Sequence, residues 1–313
     1  MVGWTRVSKM TDIALVASVP PPATPRQRAW ARFKRHRLAV VGVALLGAIV
    51  LMVVFGPLLW PVAINDIDFG ARLQGPTLAH PMGTDDLGQD LLARMLYGGR
   101  ISLAVGLAAM VVSVLVGVTV GAVAAMSRGT VGTSLVWLTD LFLSLPQLPL
   151  LLLILYLFRD TLAASLGQEA GTFILVTCVL GGLRWMSVAR LTRGQFLSLR
   201  EKDFVEAARA VGATRARQTF RHILPNSASS IIVAATINVA EAIVAESTLS
   251  FLGLGFPSDV PTWGRLLFES KDYLDIAAYW ALFAGGAIFL TVLCINFIGD
   301  GLRDALDPRE VRV

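Results

Sequence analysis

The sequence predicts an all-α protein that crosses a membrane six times, and three observations carry that expectation. First, 55% of its 313 residues are hydrophobic and only 16% charged, with a mean hydropathy of +0.67, more apolar than a soluble domain allows. Second, apolar runs long enough to span about 30 Å of hydrocarbon recur near 38–59, 101–125, 134–158, 172–192, 228–249 and 280–302. None of them alternates with a period of two, so the backbone must be satisfied by helices rather than by a barrel. Third, the bases are unevenly placed: eight in the first 37 residues, Arg128, nine between residues 184 and 228 and three at the C-terminus, leaving six of the 27 elsewhere. An even number of spans with the base-rich segments in the cytoplasm accounts for that asymmetry and puts both termini there. The net charge of +5 sits in blocks beside apolar runs without interleaved aromatics, which fits topology and not nucleic acid. The two cysteines, Cys178 and Cys294, each lie inside an apolar run, so neither a disulfide framework nor a metal cluster is indicated.

Residues 1–37 read as a cytoplasmic tail, with Pro20 to Pro25 flexible or extended and Arg28 to Arg37 a short interfacial helix turning Trp30 and Phe33 to lipid. The run from Leu38 has no small-residue cleavage pattern, so it stays as an anchor, and with the loop to Arg100 it makes a second unit, 38–100. That external loop is turn-rich and acidic at His80, Gly83, Thr84, Asp85, Asp86, Gly88 and Asp90. A helix is expected from about Asp90, with Arg94 and Arg100 placed to snorkel or to pair with carboxylates. One histidine among three aspartates is weak evidence for a metal, because the same side chains cap turns and helix starts well, and no metal is assigned.

The third run opens with Asp140 and contains Pro146 and Pro149, which predict a kinked helix able to act as a pivot. Asp140 is expected against a partner helix or near the cytoplasmic surface, in a structural role. In the fifth run Asn238, Glu241 and Glu246 interrupt apolar sequence. Steps of three and five residues place Asn238 and Glu241 on one face and turn Glu246 away from it. A carboxylate is expensive in hydrocarbon, so all three are candidates to line a bundle interior or a water-filled path. Trp263, Tyr273, Tyr279 and Trp280 read as an interfacial belt.

Between the fourth and fifth runs lies DFVEAARAVGATRARQTFRHILPN, Asp203 to Asn226. The helix formers Glu206, Ala207, Ala208, Arg209 and Ala210 predict a short helix, Gly212 a turn, and Pro225 the stop before the next run. The bases Arg200, Lys202, Arg209, Arg215, Arg217 and Arg221 hold this elbow in the cytoplasm. Taken alone, it also fits a basic amphipathic loop lying on the bilayer.

Glu206-Ala207-Ala208, then Gly212, then Ile223-Leu224-Pro225 resembles the EAA loop of ABC-importer permeases. His80 to Arg94 is similar to the H-x-x-GTD-x-x-GRD-x-x-SR segment of their dipeptide and oligopeptide branch, with Gln89 in place of its Arg and Ala93 in place of its Ser. Ala245 to Gly255 resembles AEASLSFLGLG, Pro261 to Gly264 resembles P-x-WG, and Gly299 to Arg309 is close to the ending GDGLRDALDPR. The likeness covers nearly all of the chain beyond about residue 28. It implies the type I importer permease fold, a transmembrane core at 101–303 containing the loop 203–226, and a cytoplasmic tail at 304–313.

The same resemblance implies that Glu206, Ala207, Ala208, Arg209, Gly212, Ile223, Leu224 and Pro225 contact an ATPase. It implies as partners a second, homologous permease subunit, two ATP-binding subunits carrying ATP and Mg, and an extracytoplasmic substrate-binding protein, all at the inner membrane of a bacterium. The chain has no G-x-x-x-x-G-K-[ST] loop to cradle phosphates and none of the H-E-x-x-H or G-x-S-x-G hydrolase patterns, so it is read as a non-enzymatic subunit binding no cofactor itself. Two alternatives stay open: a proton-coupled secondary transporter using Glu241 or Glu246, and an importer for another solute such as a nickel chelate or glutathione.

Overall fold

The computed structural model describes residues 24–127 and 129–306. Expectations for residues 1–23, Arg128 and residues 307–313, which include most of the Pro20 to Pro25 stretch and the end of the C-terminal signature, lie outside the described residues. Among those described, the chain is helical with no named strand, and Thr84 and Asp90 form one isolated antiparallel bridge.

Helix α1 (Pro25–Arg35) starts with a capping box, the Thr24 hydroxyl accepting from the Gln27 N–H while the Gln27 side chain accepts from the Thr24 N–H. Helix α2 (Arg37–Leu59) is apolar all round and largely exposed, as a helix bathed in lipid has to be. Helix α3 (Leu91–Met126) is 36 residues long and is capped at its start by Asp90, which accepts from the Ala93 N–H at 2.8 Å. After Gly129 the chain makes α4 (Thr130–Ser144), α5 (Gln147–Leu166), α6 (Gln168–Gly182) and α7 (Trp185–Arg200). The elbow contributes α8 (Asp203–Ala210), then α9 (Leu224–Phe251), the short α10 (Trp263–Ser270) and finally α11 (Ala278–Leu306) follow.

The bundle is organised around α3, which packs along α7, α6 and α9, with α11 closing against α9 and α2. With little hydrophobic drive between helices inside a bilayer, small residues that let backbones approach do much of the holding. A Cβ on Gly117 of α3 would stand 2.7 Å from the Trp185 carbonyl of α7, and one on Gly106 would stand 2.6 Å from Ile243 of α9. The largest apolar core gathers Ile101, Val105 and Ala109 of α3, Leu151 and Leu155 of α5, Leu175, Val176, Val179 and Leu180 of α6 and Leu249 of α9.

Among the described residues, six helices are long and apolar enough to cross a membrane, the number anticipated, with boundaries that differ. The third apolar run is no single kinked helix. Leu145 and Pro146 are extended, because a residue before proline is driven out of the helical region, and α4 and α5 are separate. Pro149 then falls in the first turn of α5, where its missing N–H would have had no partner. The fourth crossing runs through to Arg200, so Arg184, Arg190 and Arg193 belong to it and not to a cytoplasmic loop. Pro225 does not stop a helix either. Residues 215–251 run on without interruption, with a π-helical turn over Gln218–Ile223 that widens the backbone just ahead of the proline ring.

Phe33 is buried against Ala39 and Ala305 rather than facing lipid, and only Trp30 is exposed. The aromatic belt is corrected too: Trp263 and Trp280 are each 1% exposed. Trp263 donates its indole N–H to the Met95 carbonyl at 3.1 Å within a cluster of Val53, Met95, Leu266 and Ala284, while Trp280 stacks on Tyr273.

Candidate functional site: elbow, clasp and intramembrane polar groups

In the elbow, α8 ends in a Schellman closure. The Ala213 N–H reaches the Ala208 carbonyl, the Gly212 N–H reaches the Arg209 carbonyl, and Gly212 takes φ +84°. Thr214 then caps the next turn by accepting from the Arg217 N–H, and the Gln218 side chain donates to the Ala213 carbonyl at 2.7 Å. Val205 and Ile223 are fully buried in one apolar cluster with Ala125 of α3 and Phe196 of α7. The eight residues assigned to ATPase contact therefore divide into two groups. Glu206, Ala207, Arg209, Gly212 and Pro225 are exposed, whereas Ala208 and Ile223 are buried and Leu224 is half-buried against that cluster. Phe204, Val211 (85% exposed) and Phe220 also stand in the open, apolar side chains that the sequence reading passed over.

The motif from His80 to Arg94 forms a clasp between the first loop and the segment ahead of α11. Asp85 is buried, accepting from the N–H groups of Leu87 and Gln89 and from the Arg94 guanidinium, which also meets Glu269 at 3.1 Å and the Ser258 carbonyl at 3.2 Å. Burial pushes the Asp85 carboxyl up, and the Arg94 charge pulls the other way. Asp90 accepts from Trp60 and the Ala93 N–H, and its second oxygen lies 2.8 Å from His80 Nδ1. Thr84 bonds the Ala71 carbonyl and accepts from the Gln74 N–H. Gly83 takes φ +79° under the ring of Tyr279, whose hydroxyl donates to the carbonyls of Gln74 and Thr84. Each of His80, Gly83, Thr84, Asp85 and Asp90 is thus engaged within the chain. Arg100 was expected to snorkel or find a carboxylate; it donates to the carbonyls of Val53 and Val54.

Three polar residues of α9 go to three different places. Asn238 is buried, 3.4 Å from the Ser113 hydroxyl on α3. Glu246 is 1% exposed, accepting from Ser102 of α3 at 3.1 Å and from Ser250 at 2.8 Å, with Thr262 and the Trp263 N–H completing the network through those two serines. Glu241 is the only one of the three that faces out, its carboxylate 52% exposed and paired with Arg184. The shared face predicted for Asn238 and Glu241 thus straddles the edge of the bundle. Asp140 pairs with Arg190 of α7 at 2.8 Å. Sequence reasoning missed Arg184 and Arg190 because bases just past an apolar run count as topology signals; carboxylates on neighbouring runs were the clue that they are paired.

Residues 117–312 match the family described as binding-protein-dependent transport system inner membrane component, and residues 24–76 match the N-terminal TM domain of oligopeptide transport permease C. A peptide permease protein of Brucella suis is 39% identical over 294 residues, covering 93% of this chain and 94% of its own. The dipeptide transport system permease protein DppC of Alkalihalophilus pseudofirmus is 36% identical over 93% of this chain and 94% of that one. The glutathione transport system permease protein GsiD of Pectobacterium atrosepticum is 33% identical over 98% of both. Among solved structures, the MetNI methionine ABC transporter in inward-facing conformations matches with a TM-score of 0.55 at 18% identity, over 68% of this chain and 96% of that one, a likeness of fold.

Proposed function

Because this chain belongs to the binding-protein-dependent transport inner membrane components, we propose that it is one permease half of an ATP-driven importer of dipeptides or oligopeptides. The observation carrying this reading is the elbow. Its outer face presents Glu206, Ala207, Arg209 and Val211 while Val205 and Ile223 lock it to α3 and α7. A knob rigidly joined to the spans can pass a push from a soluble motor into the membrane, and one hinged on loose loops cannot. ATP and Mg belong to two partner ATPase subunits, and a homologous second permease and an external binding protein complete the machine. Both termini and the elbow lie in the cytoplasm, where the bases hold them.

We divide the chain into the tail 1–37, the anchor and outer loop 38–100, the core 101–303 and the end 304–313. Within the core, Ala208, Ile223 and Leu224 anchor the elbow, and Glu206, Ala207, Arg209, Gly212 and Pro225 meet the motor. Of the polar residues of α9, Glu241 faces the path, whereas Asn238 and Glu246 hold the bundle together. The glutathione relative keeps one further substrate in view, itself a charged tripeptide.

The test is a cysteine at Ala207 in a Cys178→Ser, Cys294→Ser background, in the assembled transporter. A crosslink to the ATP-hydrolysing subunit, and loss of ATP-driven peptide uptake on reversing the charges of Glu206 and Arg209, are expected. Uptake unaffected by both reversals would sink the coupling role.

A further inference from the structure

Among the described residues, one face of α7 is open apart from the ion pair that Arg190 makes with Asp140. Ser187, Arg190, Gly194 and Ser198, spaced at three or four residues, are all exposed. Flanking this stripe are two ion pairs, Arg184 with Glu241 of α9 and Arg190 with Asp140 of α4, the latter 65% and 55% exposed. At about 1.5 Å per residue, Asp140 and Arg190 each lie some 15 Å from the cytoplasmic ends of their helices. Arg184 and Glu241 lie about 25 Å in by the same rise, so each pair is level across its two helices. A cavity of about 300 Å³ opens beside the inner pair, lined by Gly121, Thr139, Asp140, Ala189, Arg190 and Arg193, and the Arg193 Nε is buried without an acceptor among the described residues. Charges this exposed at such depth do not face hydrocarbon, so the stripe turns toward the second permease half and the passage between the two.

We propose that these two pairs are rungs that take over the terminal charges of a zwitterionic peptide as it passes, Arg190 with Arg193 receiving the carboxylate and Glu241 the ammonium. The inference rests on the peptide-importer reading above and names the chemistry its path selects. Arg184 and Arg190 are six residues apart, about 9 Å along the axis and about 120° around it, so the two rungs stand on either side of the Ser187 face. An extended dipeptide or tripeptide covers roughly 7–10 Å, comparable with the axial step from one rung to the next. Each rung carries both signs, so while empty its charges satisfy one another. A passing carboxylate or ammonium exchanges one partner for another without meeting an unpaired charge. The uncharged stretch between them, Ser187 and the neighbouring turn, leaves side chains of the cargo unread.

The experiment uses the full transporter in liposomes and compares uptake of Ala-Ala, its C-terminal amide and N-acetyl-Ala-Ala, each supplied at a concentration that saturates the binding protein. Arg190→Gln is expected to lower the preference for Ala-Ala over the amide by about tenfold or more, and Glu241→Gln the preference for Ala-Ala over the acetylated form. Binding-protein-stimulated ATP hydrolysis must persist in both. An equal fall for all three peptides, or no fall, overturns the proposal. If Arg190→Gln does not assemble, Ser187→Cys in the Cys178→Ser background carries the test. Labelling by a water-soluble cationic thiosulfonate that Ala-Ala slows more than the amide supports the rungs, and no labelling or equal protection overturns them. Wild-type failure on every peptide overturns the peptide reading and this inference with it, whereas wild-type uptake without selective loss in the variants overturns the inference alone.

Discussion

Gly212 has open space where a Cβ would stand, so its φ of +84° is what constrains it. Valine there forces a β-branched residue into the left-handed region at about 1–2 kcal/mol and unwinds the closure of α8, while asparagine tolerates the conformation better. We expect Gly212→Val to lower ATP-driven uptake severalfold, Gly212→Asn much less, and neither to shift thermal unfolding of the bundle appreciably. Glu246 behaves in the opposite way. It is far from the elbow and enclosed by Ser102, Ser250 and, through them, Thr262 and Trp263, so Glu246→Ala strands buried hydroxyls at about 1–3 kcal/mol. Thermal unfolding of the detergent-solubilised chain should drop for Glu246→Ala and far less for Glu246→Gln, which keeps an acceptor.

At the scale of elements, α8 is only eight residues long and cannot hold itself as an isolated helix. Its stability is borrowed from Val205 in the cluster with Ala125, Phe196 and Ile223. Val205→Ala should weaken that seating by about 1–2 kcal/mol. If opening is fast relative to cleavage, tryptic cutting at Lys202 and Arg209 then accelerates about fivefold to thirtyfold, with the membrane core intact by near-ultraviolet dichroism. The π-helical turn at Gln218–Ile223 has a comparable local cause. The widened backbone accommodates Pro225 without breaking the rod, so the end of the elbow runs into the fifth crossing as one continuous helix.

For the whole molecule, the clasp and the elbow lie at opposite ends of α3, the first fixed by Asp90 at its start and the second by Ala125 at its end. A membrane-impermeant thiol reagent should label Asn65→Cys from outside in intact cells, and Val211→Cys only after the membrane is opened. Labelling of both from one side would overturn the proposed orientation.

The sequence by itself determined the number of crossings, the turn at Gly212 and the helix start at Asp90, because hydropathy, a left-handed glycine and a capping carboxylate act over a few residues and need no distant partner. It did not determine which polar groups of the spans meet. Asn238, Glu241 and Glu246 share one short stretch yet end in the bundle, at its edge and in a serine network, and Arg184 and Arg190 read as topology charges until α4 and α9 came alongside them. Those outcomes depend on the rotation of α9 against α3 and of α7 between its neighbours. That rotation is set by close approach at residues such as Gly106 and Gly117, a property of pairs of helices that the order of residues along one of them does not contain.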